Sequence, residues 1–295
     1  MLSVALLVVS ARVSLSQTHA PDGIKPPVPH LTLSFATIDC TPGASYTTAT
    51  GINNAGKVVG SCGGLKGYEW STNFVRLIDV PGAVGTIASD INSLGEIAGF
   101  YDLPKINGAR GFRLGKNAYT AIDDAEGIQT VVIGINATGE TVGYWNDSNY
   151  GIHGFLYSGG YFDPISVPGS LYTIPNGLNS SAVVGIYSIS GTVPGFLLEQ
   201  NVLTTLDFPS AIYSYAYSIN TWGEVIGLYE DRDYHYHGFL WQNGSFVATF
   251  DLQSGGMEPD VFTRLSLNDR GKIVGTYVDD SGARHGFLAN LPKLN

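Results

Sequence analysis

The stretch "INNAGKVVG", residues 52–60, returns in the chain with little change and indicates a repeat fold. Copies begin at Ile91 ("INSLGEIAG"), Ile135 ("INATGETVG"), Ile219 ("INTWGEVIG") and Leu267 ("LNDRGKIVG"), and a degenerate copy, "LNSSAVVG", begins at Leu178. The six asparagines are spaced by 39, 44, 43, 41 and 48 residues, a period that is typical of propeller blades.

Two further landmarks recur with the same period. A glycine-aromatic pair follows each copy, and an "ID.PG"-like stretch separates the copies. The pairs are Gly67-Tyr68, Gly111-Phe112, Gly154-Phe155, Gly195-Phe196, Gly238-Phe239 and Gly286-Phe287. Each unit contains four short β-rich runs between turn signals; in the fifth unit they are 212–219, 224–229, 237–241 and 245–251. We therefore predict an all-β fold, a six-bladed β-propeller of four-stranded antiparallel blades.

The ends of the repeat predict how the ring closes. The sixth unit has no convincing fourth strand, whereas "LTLSFATID", residues 31–39, has the pattern of a fourth strand with no unit before it. This N-terminal strand is expected to complete the last blade. The chain then divides into a signal peptide (1–16), a Pro-rich linker (17–30) and one propeller domain (31–295).

The "IN..G" phrase predicts a tight hairpin turn between the first two strands of each blade. Asparagine bonds its own backbone two residues on, and glycine accepts the left-handed conformation of a type I turn with a bulge. The predicted turn pairs are Asn53 and Gly56, Asn92 and Gly95, Asn136 and Gly139, Asn220 and Gly223, and Asn268 and Gly271. Ala182 stands at the glycine position of the fourth unit, so a different turn is expected there.

The motifs "IDVPGA", "INSLGEIAGFY" and "HGFLY" resemble the HAF-repeat family of extracellular bacterial repeat proteins. The likeness covers nearly everything from Leu31 onward and is weakest in the fourth unit, where Ser166 replaces the usual aspartate. The resemblance implies export and a propeller-like fold. It implies no catalytic residues.

Composition limits the partners and the location. The net charge is -10 and only 14% of residues are charged, so a basic surface for nucleic acid is excluded. The apolar run from Leu2 to Val9 is too short for a transmembrane segment and suits a signal peptide without its positive n-region, cleaved after Ser16. An extracellular or periplasmic monomer is expected.

The two cysteines, Cys40 and Cys62, leave two interpretations open. In an exported protein they would form a disulfide bond that closes a loop of about 22 residues. They are equally compatible with two small buried side chains. Two thiols without a paired motif do not make a metal site.

Acidic residues are expected on the face that carries the loops into each first strand and between the second and third strands. This ring would attract Ca²⁺ or a basic partner, or it would consist only of solvated turn residues. No motif indicates any other cofactor. His153, His237 and His285 precede the glycine-aromatic pairs and are expected to bond an aspartate of their blade; Lys66 and Arg110 replace histidine elsewhere.

Exceptions to the repeat are the better candidates for binding residues. Asp90 and Arg264 interrupt first strands that are otherwise small or apolar, so they would lie near the central channel as a ligand site or as a solvated pair. The segment "YEDRDYHYHGF", residues 229–239, is the densest cluster of ionisable and aromatic groups. Its candidate residues are Asp231, Asp233, Tyr234, His235 and Tyr236, and a plain polar hairpin tip is the alternative.

The sequence carries no catalytic motif. The first hypothesis is therefore a non-catalytic binding module for a glycan, a peptide or an envelope partner. The second is a channel-centred hydrolase or lyase, with or without calcium. The third is a structural repeat protein of the cell envelope.

Overall fold

Each copy of the repeat folds into one antiparallel sheet, and six such sheets surround a central axis. The structure is a computed structural model that describes residues 28–292, except 117, 125, 254, 255 and 258–263. The predicted signal peptide and residues 17–27 of the predicted linker lie outside the described residues. The predicted all-β six-bladed propeller is confirmed.

Four blades have four antiparallel strands in chain order, with the first strand at the axis. Blade 1 contains β3 (Thr47–Ile52), β4 (Val58–Cys62), β5 (Lys66–Ser71) and β6 (Phe74–Ile78). Blade 2 contains β7 (Gly85–Ile91), β8 (Ile97–Asp102), β9 (Arg110–Leu114) and β10 (Tyr119–Ile122). Blade 3 contains β11 (Gln129–Ile135), β12 (Thr141–Asn146), β13 (Ile152–Ser158) and β14 (Tyr161–Ile165). Blade 4 contains β15 (Tyr172–Leu178), β16 (Ala182–Ser188), β17 (Gly195–Glu199) and β18 (Val202–Leu206).

Blades 5 and 6 include the two strands that open the domain. Blade 5 contains β19 (Tyr213–Ile219), β20 (Val225–Glu230), β21 (Tyr236–Gln242), β22 (Ser245–Leu252) and, at its outer edge, β1 (His30–Leu33). Blade 6 contains the short strands β23 (Gly256–Met257) and β24 (Ser266–Leu267), then β25 (Lys272–Val278), β26 (Arg284–Asn290) and β2 (Phe35–Ile38).

The N-terminal strand closes the last blade as predicted, since β2 pairs antiparallel with β26. The first half of the predicted strand, however, lies in the neighbouring blade. There β1 pairs parallel with β22, and the peptide groups of Thr249 and Gln253 donate to the carbonyls of Pro29 and Leu33. The outer edge of β22 offers unpaired peptide groups, and β1 satisfies them, so one short segment links two blades.

The core lies between the blades. The aromatic residue of every glycine-aromatic pair is fully or almost fully buried; these residues are Tyr68, Phe112, Phe155, Phe196, Phe239 and Phe287. Each ring packs among the small and branched side chains of its own blade and its neighbour. The repeat therefore encodes its own inter-blade core.

Cys40 and Cys62 form a disulfide bond. Cys40 follows β2 in blade 6 and Cys62 ends β4 in blade 1, so the bond joins the closing strand to the next blade. A loop of this length contributes about 3 kcal/mol by restricting the unfolded chain. No helix with the length and apolarity of a membrane span occurs in the part of the chain that the structure describes.

Candidate functional site

The propeller has two chemically different faces. We call the face with the turns between first and second strands the turn face, and the face with the loops between second and third strands the loop face. The turn asparagines lie at one end of the blades, and the aspartates and histidines of the loop face lie at the other end.

The predicted turns are present on the turn face. In blade 2 the Oδ1 atom of Asn92 accepts from the peptide groups of Leu94 (3.1 Å) and Glu96 (2.9 Å), and Gly95 has a φ of 81°. Gly56, Gly139, Gly223 and Gly271 have the same left-handed conformation. Blade 4 has a shorter turn, as expected, in which Ala182 already begins β16.

The turn asparagines also join the blades, which the sequence did not predict. The expected bond of each asparagine to its own turn is present, but it is only part of the arrangement, because the Nδ2 atom also donates to the carbonyl of the next asparagine. We call these residues the asparagine ring. Its described links run from Asn53 to Asn92, Asn92 to Asn136, Asn136 to Asn179, Asn179 to Asn220 and Asn268 to Asn53, at 3.0–3.3 Å.

Inside this ring, the first strands of blades 1 to 5 each contain a β-bulge. The register shifts by one residue just before the turn in blades 1 to 5. The residues two before the turn asparagine surround the axis; they are Gly51, Asp90, Gly134, Gly177, Ser218 and Ser266. A Cβ atom on Gly51 would lie 2.7 Å from the Cα and Oδ1 atoms of Asp90, so glycine makes room for the aspartate.

A cavity of about 250 Å³ opens on the turn face at the axis, and we call it the axial cup. Its wall is an apolar ring made of the residue before each turn asparagine, namely Ile52, Ile91, Ile135, Leu178, Ile219 and Leu267. Its floor includes Asp90, Asn176, Tyr217, Ser218, Arg264 and Ser266. The structure thus brings the two predicted exceptions, Asp90 and Arg264, together in one site.

Asp90 is deep in the propeller, although part of it reaches the cup. Its Oδ1 accepts from the peptide group of Ile91 (2.9 Å), and its Oδ2 accepts from the peptide group of Ile135 in the next blade (3.1 Å). Burial raises the pKa of the carboxyl group to about 6, against the opposing effects of Arg264 and of these two hydrogen bonds. The carboxyl group of Asp90 therefore loses its proton at a higher pH than an ordinary aspartate does.

Arg264 reaches across the central axis from blade 6. Its guanidinium group donates to the carbonyls of Ser89 (3.4 Å), Ile133 (3.1 Å) and Asn176 (3.3 Å), which belong to blades 2, 3 and 4. These carbonyls belong to the residues at the strand bulges, where the ladder leaves backbone groups unpaired. Burial lowers the pKa of Arg264, and the charge of Asp90 opposes that shift.

The loop face repeats another module. In blades 3, 5 and 6 an aspartate closes the turn after the second strand, and a histidine six residues later bonds its Oδ2 atom. The pairs are Asp147 with His153 (2.9 Å), Asp231 with His237 (3.2 Å) and Asp279 with His285 (3.3 Å).

Two of these histidines bind a second carboxylate, as predicted from their position. The Nδ1 atoms of His237 and His285 lie 2.7 Å from the carboxylates of Asp251 and Asp39. His153 has no aspartate at that position, because Ser166 stands there. In blade 1 Lys66 pairs with Asp79 in the same way.

The ion pairs shift the pKa values of both partners. Burial lowers the pKa of His237 and His285, but the hydrogen bonds to their carboxylates outweigh it and raise both pKa values. Hydrogen bonds from Ser281 and Ala283, with His285, lower the pKa of Asp279 to about 2. The histidines therefore hold part of their charge above the usual pH range.

The other predicted residues of blade 5 lie at the tip of the same loop. Tyr234 is 73% exposed, and Asp233 and His235 are exposed beside it. The hydroxyl group of Tyr236 instead donates to Glu230 (2.9 Å). Tyr150 holds the matching tip position in blade 3 and is 78% exposed. The sequence reading missed Tyr150, although "DSNYG" and "DRDYH" align once the aspartates are superposed.

The described residues contain no group of three His, Cys, Asp or Glu side chains placed to hold a metal ion. The predicted acidic ring is divided among separate loops, where Asp147, Asp231 and Asp279 are bonded by their own turns and histidines. No geometry that would hold Ca²⁺ is therefore on view in these loops.

Comparison with solved structures identifies the class of protein, a six-bladed β-propeller. The putative TolB from Agrobacterium tumefaciens is 10% identical, over 83% of this chain and 91% of that one, with a TM-score of 0.57. An Aleuria aurantia lectin variant in complex with alpha-methyl-L-fucoside is 11% identical, over 89% and 93%, with a TM-score of 0.50. A gluconolactonase from Xanthomonas campestris is 10% identical, over 84% and 89%, with a TM-score of 0.50.

At these identities the similarity shows the fold alone. The sequence matches no protein-family model and no curated protein sequence. The family assignment therefore remains a proposal, and the function must be argued from the residues of this chain.

Proposed function

We propose that the protein is an exported, non-catalytic binding module that takes a glycan, a peptide or an envelope partner on its loop face. The observation that carries this proposal is the conformation of Tyr150 and Tyr234. Both are exposed, and both have positive φ values, 62° and 64°.

A tyrosine in this conformation is strained by about 1 kcal/mol, because its Cβ atom crowds the backbone. Blade 6 has Gly282 at the same position, with a φ of 84°, where the strain is absent. Neither tyrosine gains the burial that would offset the cost. An exposed aromatic residue at a strained position is therefore better explained by contact with a partner than by the fold.

The surroundings of the two tyrosines suit a macromolecular partner. Exposed apolar side chains lie on other loops of the same face; they are Leu65, Val84, Ile106 and Leu171. Exposed side chains of Asp102, Asp233 and Asp280 lie on loops of the same face. A mixture of aromatic tips, apolar side chains and acids favours a partner with hydroxyl groups or positive charge.

Export is supported by the disulfide bond between Cys40 and Cys62, since such bonds persist in oxidising compartments. The resemblance to the HAF-repeat family points in the same direction. We propose an extracellular or periplasmic location on these grounds.

The channel-centred hydrolase or lyase is the second candidate, favoured by the raised pKa of Asp90, which would suit a general base. Both oxygens of Asp90 already accept peptide hydrogen bonds, and Arg264 is held by three carbonyls. These contacts fix the pair in place and favour binding over catalysis.

The proposal is tested with a glycan array and a peptide-display library, each probed with the wild type and with the variant Tyr150→Gly/Tyr234→Gly. The matched control is Tyr161→Gly, because Tyr161 is 76% exposed but begins β14 on the turn face. We expect ligands captured by the wild type to be lost by the double variant and kept by the control. Capture that is unchanged in the double variant, or lost equally in the control, contradicts the proposal.

A further inference from the structure

The axial cup is the point at which the six-fold pattern fails. At the position two residues before the turn asparagine, five blades have glycine or serine, and blade 2 has Asp90. Four residues before the turn asparagine, the other blades have Ala49, Ala88, Val132, Pro175 and Ala216, and blade 6 has Arg264. The two exceptions come from blades 2 and 6, which flank blade 1, and both line the floor of the cup.

The floor is chemically balanced. Asp90 supplies a negative charge and Arg264 a positive one, so the site carries no net charge above the pKa of Asp90. Burying a pair of opposite charges without further use contributes little to stability, because desolvation offsets their attraction. A neutral ligand with both donors and acceptors matches such a floor better than an ion does.

The floor still offers hydrogen bonds to a ligand. Each carboxylate oxygen of Asp90 accepts one peptide hydrogen bond and has a second lone pair. Ser218 and Ser266 accept from the peptide groups of Leu267 (3.4 Å) and Ile52 (3.3 Å), and each hydroxyl keeps its own proton to donate.

The wall and the size narrow the ligand class. The apolar ring surrounds the cup between this polar floor and the polar rim of Asn54, Ser93 and Thr221. A cavity of about 250 Å³ holds roughly eight water molecules and is smaller than the usual site of a drug-sized ligand. One saturated ring with hydroxyl groups at its edge fits these dimensions.

We propose that the axial cup is a second binding site, separate from the loop face, for a small neutral polyhydroxylated molecule of the size of one monosaccharide ring. Asp90 accepts hydrogen bonds from its hydroxyl groups, and Ser218 and Ser266 donate to it. Arg264 positions the floor and balances the charge, and the apolar ring covers the C–H faces of the ligand.

The experiment uses five defined probes, D-glucose, D-galactose, D-mannose, L-fucose and myo-inositol, with ethylammonium and Ca²⁺ as charged comparisons. Binding is followed by saturation-transfer NMR and by the melting temperature of the protein. Two variants change different parts of the cup. Asp90→Asn removes the negative charge of the floor with little change in shape. Ser93→Trp covers the mouth of the cup and leaves the floor residues unchanged. Asp163→Asn, in the outermost strand β14 of blade 3, is the matched control outside both proposed sites.

We expect at least one of the five polyols to bind the wild type. Asp90→Asn should weaken that binding by about tenfold or more, since a hydrogen bond to a charged group is lost. Ser93→Trp should abolish it, and Asp163→Asn should leave it unchanged. Absence of binding by all five polyols overturns the proposal, as does binding that survives in both cup variants or that occurs only with the charged probes.

Discussion

The same turn closes hairpins on both faces of the propeller, but its first residue is asparagine on the turn face and aspartate on the loop face. In Asn53 and in Asp147 alike, the residue's peptide group donates to the carbonyl four residues on, and its own carbonyl accepts from the peptide group three residues on. In both, Oδ1 accepts the peptide groups two and four residues on. The backbone requirement is therefore equal.

The second polar atom of the side chain, Nδ2 in asparagine and Oδ2 in aspartate, explains why the two faces use different residues. On the turn face it must be a donor, because it faces the carbonyl of the next blade, as Asn92 faces Asn136. On the loop face it must be an acceptor, because it faces a histidine of its own blade, as Asp231 faces His237. Asparagine on the turn face joins neighbouring blades, whereas aspartate on the loop face bonds only within its own blade. The sequence of the loop face can therefore vary from blade to blade.

The largest effect on stability is expected when a turn-face asparagine is replaced by aspartate, the residue that the loop face uses. Asn92→Asp places a carboxylate oxygen against the carbonyl of Asn136 and the carboxylate of Glu96, where Nδ2 now donates at 3.0 and 2.9 Å. We expect a loss of about 3 kcal/mol in the free energy of unfolding, because a buried charge is left without a donor. Urea denaturation measures it.

Asn243→Asp is the control for that experiment, since Asn243 is exposed on the same face and has a φ of 51°. Its effect should stay within about 0.5 kcal/mol. Equal losses in the two variants would show that the asparagine ring contributes nothing beyond the local turn.

A smaller effect of opposite sign is expected at the fourth residue of the turn. Tyr234→Gly gives blade 5 the glycine that the turn face uses, and relief of strain should raise the free energy of unfolding by about 1 kcal/mol, less the entropy that glycine loses on folding. The melting temperature should rise by about 1–3 °C. Tyr161→Gly, at an exposed position of ordinary φ, should not raise it; a stabilisation common to both variants would remove the argument from strain.

The smallest effect is expected in the pH dependence. The raised pKa values of His237 and His285 mean that their contribution to stability is complete below about pH 6.5 and is lost as the pH rises through their folded pKa values. The raised pKa of Asp90 lowers stability in a lower pH range, as the pH rises from about 4 to about 6. Stability should therefore decline in two steps, the first between about pH 4 and pH 6 and the second above about pH 6.5.

Two variants separate the steps. Asp90→Asn should flatten the decline below pH 6, and Asp231→Asn should lower the pKa of His237 and reduce the decline above pH 6.5, both followed by thermal melts and by NMR titration of the histidines. A pKa of His237 that does not move in Asp231→Asn contradicts the assigned pair.

Much of the architecture could be predicted from the sequence because the same turn, strand and core motifs recur in six units. The Asn-Gly turns, the buried aromatic residues after glycine and the closure by the N-terminal strand all follow from local patterns of spacing and side-chain periodicity. The bonds of His237 and His285 to Asp251 and Asp39 were predicted for the same reason, since neighbouring strands of one blade place them side by side.

The tertiary structure alone decided what happens between blades. The parallel pairing of β1 with β22, the bonds of the asparagine ring and the meeting of Asp90 with Arg264 join residues far apart in the chain, and their register depends on how six sheets close around an axis. Local pattern determines a blade because its strands are neighbours in sequence. The axial cup depends on the curvature and bulges of the whole ring, which no single repeat contains.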